Sequence, residues 1–72
     1  NVYPNPVNAG EAFSVDVEGN AVVDVYSLNG QKVLTANVDG PTSFTTEGMT
    51  AGIYFVTVKN DNGVKTAKLI VK

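Results

Sequence analysis

The sequence predicts an all-β fold, a seven-stranded antiparallel immunoglobulin-like β-sandwich. The first observation is dense punctuation, because residues that favour turns recur every several positions and leave no room for a capped helix of ordinary length. These residues are Pro4, Pro6, Gly10, Gly19-Asn20, Asn29-Gly30, Gly40-Pro41, Gly48, Gly52 and Asn62-Gly63. The second observation is that β-branched and aromatic residues fill the segments between the breaks. The third is alternation of apolar and polar side chains, which is typical of strands with one buried face.

Seven segments meet these criteria and define the predicted strands. In order, they are Val2-Tyr3, Ala12 to Val17, Ala21 to Ser27, Gln31 to Asn37, Ser43 to Thr46, Gly52 to Lys59 and Val64 to Val71. The second strand alternates most clearly, since Phe13, Val15 and Val17 share one face. Antiparallel hairpins of this length and number favour two sheets packed face to face, with a small open barrel as the alternative.

The third strand carries apolar residues on both faces, which is typical of a central strand. Val23 and Val25 share one face, while Val22 and Tyr26 lie on the opposite face with Asp24. We therefore expect this strand to lie inside a sheet and to be partly covered on both sides.

The turn after the third strand has two possible forms, and each sets a different register. A type I turn with Ser27 first and Gly30 in the left-handed region pairs Val25 with Val33. A two-residue type I′ turn pairs Tyr26 with Val33 instead. We favour the first form because it places the valines of both strands on one face.

The sixth strand, entered through Gly52, is the most apolar stretch of the chain. We expect Tyr54 on this strand to pack its ring in the core and to direct its hydroxyl to a nearby backbone group or to water. The turn that follows, residues 60–63, ends in Gly63 and has the strongest turn chemistry in the sequence.

The register of this last hairpin also has two possible forms. If Lys59 faces Val64, the inward residues of both strands are apolar, whereas a slip of one residue places Lys68 among them. We favour the first form because it avoids a buried ammonium group. It puts one set of residues on a common face: Tyr54, Val56, Val58, Ala67, Leu69 and Val71.

Composition limits the functions that the chain can have. Its 72 residues include no Cys, Trp or His, so the side chains most used for metal binding, nucleophilic catalysis and proton transfer near neutral pH are missing. Seven acids against five lysines, without arginine, make nucleic-acid binding an unfavourable interpretation. We predict no enzyme activity, no cofactor and no metal site. A chain of this length forms one domain, with stability that depends on close packing.

The few candidate chemical groups have simpler interpretations. Asp16, Glu18 and Asp24 lie on outward faces or at turns, where solvated carboxylates are expected rather than a general acid and base. The turn around Asp61 lacks the spaced carboxylates of a calcium loop. Lys65, Lys68 and Lys72 lie close together on and after the last strand. The residues alone favour lysines that guard an edge strand against pairing with other chains, and the alternative is a basic edge that faces a receptor.

The ends of the chain carry expectations of their own. No apolar run is long enough for a membrane helix, and no secretory signal peptide is evident at the start. Because the chain opens at Asn1 rather than Met, we expect residues 1–72 to be a single domain excised from a larger secreted protein. The last strand runs straight to Lys72 without a linker, which favours a true C-terminus.

The ordered landmarks of the chain resemble one known family. They are Val2-Tyr3-Pro4-Asn5-Pro6, Val25-Tyr26-Ser27-Leu28-Asn29-Gly30-Gln31, Gly52-Ile53-Tyr54-Phe55-Val56 and Lys68-Leu69-Ile70-Val71-Lys72. Together they look like the type A C-terminal sorting domain of cargo proteins of the type IX secretion system in the Bacteroidota. The resemblance covers essentially the whole chain. The family often has an acidic residue where this chain has Ser27, so we expect no charge-based role there.

The resemblance implies a non-catalytic address domain with a seven-stranded sandwich fold. It implies a larger cargo protein that reaches the cell surface, or is secreted, by way of the periplasm and the outer membrane. The implied partners are the type IX translocon, a sortase-like peptidase that removes the domain, and the parent cargo domain. The domain would be a substrate and would not span a membrane.

The resemblance carries over residue by residue. It implies the sorting and recognition residues Gly52, Tyr54, Lys68, Leu69, Ile70, Val71 and Lys72, and the structural motif residues Pro4, Asn5, Pro6 and Gly30. To these sets we add Lys65 from the basic edge and Gly63 from the last turn. A terminal hairpin with an exposed edge can recruit a partner by strand addition, so we expect the last two strands to form the recognition element.

Two other functions compete with this one. The chief alternative is a carbohydrate-binding or adhesive fibronectin-like module of a secreted enzyme, since small sandwiches often serve that purpose. Sugar-binding faces usually offer exposed aromatic platforms, whereas Phe13, Phe44, Phe55 and Tyr54 are expected to be needed for the core. The second alternative is a spacer between larger domains.

Overall fold

The computed structural model describes residues 1–72 as seven strands. They are β1 (Val2–Tyr3), β2 (Ala12–Val15), β3 (Asn20–Ser27), β4 (Lys32–Asp39), β5 (Thr42–Thr45), β6 (Gly52–Asn60) and β7 (Gly63–Val71). Every predicted strand is present, with each bound within about two residues of its predicted place. No helix of the length and apolarity needed to cross a membrane occurs.

The strands form two antiparallel sheets, which confirms the predicted sandwich. One sheet has three strands in the order β1-β2-β5, and we call it the small sheet. The other has four strands in the order β4-β3-β6-β7, and we call it the large sheet. β3 is central in the large sheet, as predicted from its two apolar faces. Its outward residues Val22 and Tyr26 are only half-buried, because no further layer lies over them.

The core lies between the inner faces of the two sheets. Phe13, Val15 and Val17 are all buried, which confirms the alternation read from the second strand. Phe13 packs its ring against that of Phe44 on β5, with 5.7 Å between the ring centroids. The large sheet completes the core with inward residues from all four strands, chiefly Ala21, Val23, Val25, Val38, Tyr54, Val56, Leu69 and Val71.

The β3–β4 turn has the preferred form, but the predicted register of the strand that follows is wrong. Gly30 has φ of 88°, no residue other than glycine has positive φ, and the Gly30 amide donates to the Ser27 carbonyl at 2.9 Å. A bulge between Val25 and Tyr26 then shifts the pairing, so that Val25 lies opposite Leu34 rather than Val33. Without the shift, Thr35 and Asn37 would face the core.

The β6–β7 hairpin has the predicted register, with Lys59 opposite Val64. Its loop is Asp61-Asn62, since Asn60 pairs with Gly63. The Asn60 side chain accepts a hydrogen bond from the Asn62 amide at 2.9 Å, which closes an Asx turn.

Tyr54 fixes the start of β6 to the loop before it. Its ring is buried and its hydroxyl donates to the Thr50 carbonyl at 2.6 Å, as the sequence predicted for this residue. The arrangement matches the tyrosine corner of immunoglobulin-like sandwiches, in which a tyrosine near the start of the sixth strand bonds back to the backbone a few residues upstream.

Candidate recognition surface

The residues that the sequence singled out converge on β6 and β7. Tyr54 lies opposite Leu69, and Gly52 lies opposite Val71. Tyr54, Leu69 and Val71 are buried, so their side chains hold the hairpin in the core and are out of reach of a partner that binds the folded domain.

The other predicted recognition residues reach solvent, but not on one surface. Along β7, Lys65 belongs to the inward set with Leu69, whereas Lys68 and Ile70 belong to the outward set. Lys65, Lys68 and Lys72 are exposed and Ile70 is half-buried. The structure therefore divides the basic cluster read from the sequence between the two sides of the strand.

Lys65 lines a cleft of about 640 Å³ between the ends of the two sheets. Asp16 and Glu18 line the same cleft, and neither forms an ion pair with Lys65. Asp24 lies on the outer face of the large sheet, so it cannot act with these two carboxylates. No three His, Cys, Asp or Glu side chains are grouped as a metal site would require.

The sequence led us to expect an open edge on β7. The structure shows instead that part of this edge is covered. Residues 5–9, which we call the N-terminal strap, run beside it. Asn5 donates from Nδ2 to the Lys68 carbonyl at 2.6 Å and accepts from the Ile70 amide at 2.9 Å. Val7 then donates to the Ile70 carbonyl and accepts from the Lys72 amide, each at 2.9 Å, and Ala9 donates to the Lys72 carbonyl at 3.0 Å. A strand from a partner cannot pair with this part of β7 while the strap is in place.

The free part of the edge is short. The backbone N–H and C=O groups of alternate residues in a strand point to the same side. Those of Lys68, Ile70 and Lys72 point at the strap, so those of the even-numbered residues nearer the turn point to this side as well. Val64 and Thr66 are these residues, and the strap makes no hydrogen bond to them. Strand addition to the folded domain at this edge is limited to this segment.

Pro4 and Pro6 flank the residue that clamps the strap. Both are exposed, and the peptide bonds that precede them are cis. Because Asn5 is hydrogen-bonded to β7, the Pro4-Asn5-Pro6 motif lies at the contact between the beginning and the end of the domain.

The outer face of the large sheet carries an apolar patch that the sequence analysis missed. Phe55 was expected in the core, but it lies outward because its neighbours Tyr54 and Val56 face inward. Phe55 pairs with Tyr26 on β3, and both rings are half-buried. The preferred register of the last hairpin already implied this orientation of Phe55.

Lysines lie at both ends of the Tyr26–Phe55 pair. Tyr26 pairs with Lys32 on β4, and Phe55 pairs with Lys68 on β7, which gives one row across all four strands. The Lys32 ammonium lies 5.8 Å from the Tyr26 ring centroid and 3.8 Å from Asp24 Oδ1. We call Lys32, Tyr26, Phe55 and Lys68 the basic-aromatic row.

The small sheet presents a different outer face. Ser14 and Ser43 share a hydrogen bond of 2.9 Å there, and Tyr3 donates from its hydroxyl to Asp16 Oδ1 at 3.1 Å. The hydrogen bond to the Asp16 carboxylate, together with its negative charge, raises the pKa of Tyr3 above the ordinary value of 10.0. This face is largely polar, as expected for a sheet surface that meets only water.

Comparison with known proteins identifies a family. A family model described as "Secretion system C-terminal sorting domain" matches residues 1–72. Neither a curated protein nor a solved structure matches the chain.

Proposed function

The chain belongs to the family of secretion system C-terminal sorting domains, which are the sorting signals of type IX secretion, and on that premise we propose that residues 1–72 are the address domain of a larger cargo protein. The observation that carries this proposal is the family match over the whole chain. The family match gives no support to the competing interpretation as a carbohydrate-binding or adhesive module.

The cargo would cross the outer membrane after reaching the periplasm, and would then be held at the cell surface or released. The domain's part in this route is to be recognised by the secretion machinery in its folded form. The seven-stranded sandwich supports this, because it holds the C-terminal strand between β6 and the N-terminal strap. The shape that a partner meets is thus defined before binding, which lowers the entropy cost of recognition.

Within the predicted recognition set, exposure separates two roles. Tyr54, Leu69 and Val71 support the hairpin from the core, and Gly52 opens its first strand. Direct contact with the machinery falls to the residues that reach solvent, namely Lys65, Lys68, Ile70 and Lys72.

A sortase-like peptidase would remove the domain by cutting upstream of Asn1. Asn1 is exposed, and its carbonyl accepts a hydrogen bond from the Asp16 amide at 2.9 Å, so this residue is already held against the small sheet. A cut before Asn1 separates the cargo and leaves every strand of the sandwich intact. The domain is the substrate in this step, in keeping with a family that is not catalytic.

The test of this function is the fate of the parent protein. Deleting residues 1–72 from the parent should leave the cargo in the periplasm, while the intact parent reaches the surface or the medium. Mass spectrometry of the exported cargo should show a new C-terminus upstream of Asn1. Export of the deleted form at the level of the intact form would overturn the proposal, and an exported cargo that retains the domain would overturn the cleavage step alone.

A further inference from the structure

The two outer faces of the molecule differ in a way that packing does not explain. A sheet face that meets only water is normally polar, and the small sheet follows this rule. The large sheet instead presents four apolar side chains side by side, since Tyr26 pairs with Phe55 and Ile53 pairs with Ile70; Ile53 is exposed and the other three are half-buried. Ile53 is 37% exposed, and no element of the chain covers the patch. An apolar patch bordered by charge is typical of a surface that binds another protein.

Charged residues are also distributed unevenly between the two sheets. All five lysines lie on the large sheet or directly after it, together with three of the seven acids, Asp24, Asp39 and Asp61. The small sheet and its loops carry the other four acids, Glu11, Asp16, Glu18 and Glu47, and no lysine. The domain is therefore positive on the large sheet and negative on the small sheet, although its net charge is −2.

From these observations we propose that the basic-aromatic row is the docking surface for the secretion machinery, and that its partner is a protein segment with apolar side chains between two acidic groups. This inference rests on the proposed function and names the site within it. Lys32 and Lys68 are three strand spacings apart, about 14 Å. The carboxylates of the partner would lie at a similar separation, with the apolar groups between them on Tyr26 and Phe55.

The charges of the basic-aromatic row disfavour a second copy of this chain as the partner that binds there. Both ends of the row are lysines, so stacking one row on another about a twofold axis brings lysine against lysine in either direction. Like charges so placed disfavour association.

A lipid surface fits the face less well than a protein does. Beside the row, a polar stripe of Thr35, Asp24, Thr57 and Thr66 crosses all four strands. Asp24 Oδ1 within it is buried, lies 3.8 Å from the Lys32 ammonium, and accepts no hydrogen bond from another protein group. A carboxylate held this close to the apolar patch opposes insertion into hydrocarbon.

The test uses pairs of matched variants of residues 1–72 fused to a periplasmic reporter in a type IX-competent host. Lys68→Glu changes the row, and Lys59→Glu makes the same charge change at an exposed position opposite Val64, at the far end of the same face. Phe55→Thr removes the apolar centre, and Val64→Thr alters an apolar residue, 60% exposed, at the far end of the same face. Thermal unfolding of each purified variant shows that the domain still folds.

We expect Lys68→Glu and Phe55→Thr to lower the surface reporter about tenfold or more, as for central residues of an interface, and the two controls to stay within about twofold of the unchanged domain. The inference would be overturned if Lys68→Glu or Phe55→Thr folded and exported the reporter like the unchanged domain. It would also be overturned if a row variant and its control lost surface reporter equally. Self-association, or binding to anionic lipid vesicles, that both row variants abolish would also overturn it in favour of another occupant. If the unchanged domain fails to export the reporter, the proposed function fails, which is a separate result.

Discussion

The side chain of Asn5 and the backbone of Ile70 are joined by a hydrogen bond of 2.9 Å, although 65 positions separate them in the sequence. With its second bond, to the Lys68 carbonyl, Asn5 acts as a substitute for one residue of a neighbouring strand. The beginning of the domain thereby covers the edge of its last strand. This contact decides which part of the C-terminal hairpin is available to a partner.

Replacing Asn5 by Ala should loosen the strap. The Ile70 amide and the Lys68 carbonyl lose their protein partners, and we expect a loss of about 1 kcal/mol in the free energy of unfolding. Chemical denaturation measures this loss, and faster amide hydrogen exchange at Ile70 locates it. Asn8→Ala is the matched control on the same segment, since the Asn8 side chain donates an exposed hydrogen bond to Glu11, and it should cost less than about 0.5 kcal/mol. Equal effects of the two changes would contradict the role given to Asn5.

Thr46 should be sensitive to loss of its hydroxyl. It is fully buried, and its hydroxyl donates to the Glu11 carbonyl at 2.6 Å and accepts from the Gly10 amide at 2.9 Å. Thr46→Val keeps the shape but leaves these groups without that partner, so we expect a loss of about 1–3 kcal/mol by denaturant unfolding. Thr45→Val, at an exposed neighbour, should change stability by less than about 0.5 kcal/mol. A Thr46→Val protein as stable as the original would show that the hydroxyl network is unimportant.

The β3–β4 turn should tolerate alanine at one position and not at the next. Gly30 has φ of 88°, where a Cβ atom is strained, so Gly30→Ala should cost about 1–2 kcal/mol. Asn29 has negative φ, so Asn29→Ala should cost less than about 0.5 kcal/mol. Thermal unfolding of both variants checks this prediction. A loss at Asn29 as large as that at Gly30 would indicate the type I′ turn instead, because both of its central residues have positive φ.

Tyr3 should titrate above its ordinary pKa of 10.0, because the hydrogen bond to Asp16 favours the neutral phenol. A raised pKa in the folded state gives stability that is fully present below the unfolded pKa and lost as pH rises through the folded value. Ultraviolet difference titration of the original protein against Tyr3→Phe isolates this group. Asp16→Asn removes the negative charge and should lower the pKa of Tyr3, and an unchanged titration would contradict the assigned cause.

Local pattern was enough to predict the strands and the sandwich. Turn residues and alternation defined each segment, and the penalty for burying Lys68 selected the register of the last hairpin. The same reasoning failed at the β3–β4 hairpin because a bulge adds one residue to β4 beyond the turn. The turn itself carries no signal of that insertion, which is needed to bring Leu34, Ala36 and Val38 to the core.

The candidate site was harder to predict, since it depends on contacts between distant parts of the chain. Pairing of the strap with β7 joins residues that no local pattern connects, and so the sequence suggested an open edge. The outward position of Phe55 was within reach, because the register that faces Tyr54 inward requires it. Its partners Tyr26 and Lys68 lie on other strands, and only the order of the large sheet brings them into one row.

The most direct test of the proposed function is whether residues 1–72 alone direct a foreign protein through type IX secretion. A periplasmic reporter carrying the domain at its C-terminus is expressed in a competent host and in the same host without a working translocon, and surface-exposed reporter is measured in both. The proposed function predicts surface reporter only in the competent host and only with the domain attached. A reporter that stays in the periplasm of the competent host with a folded domain attached would contradict it.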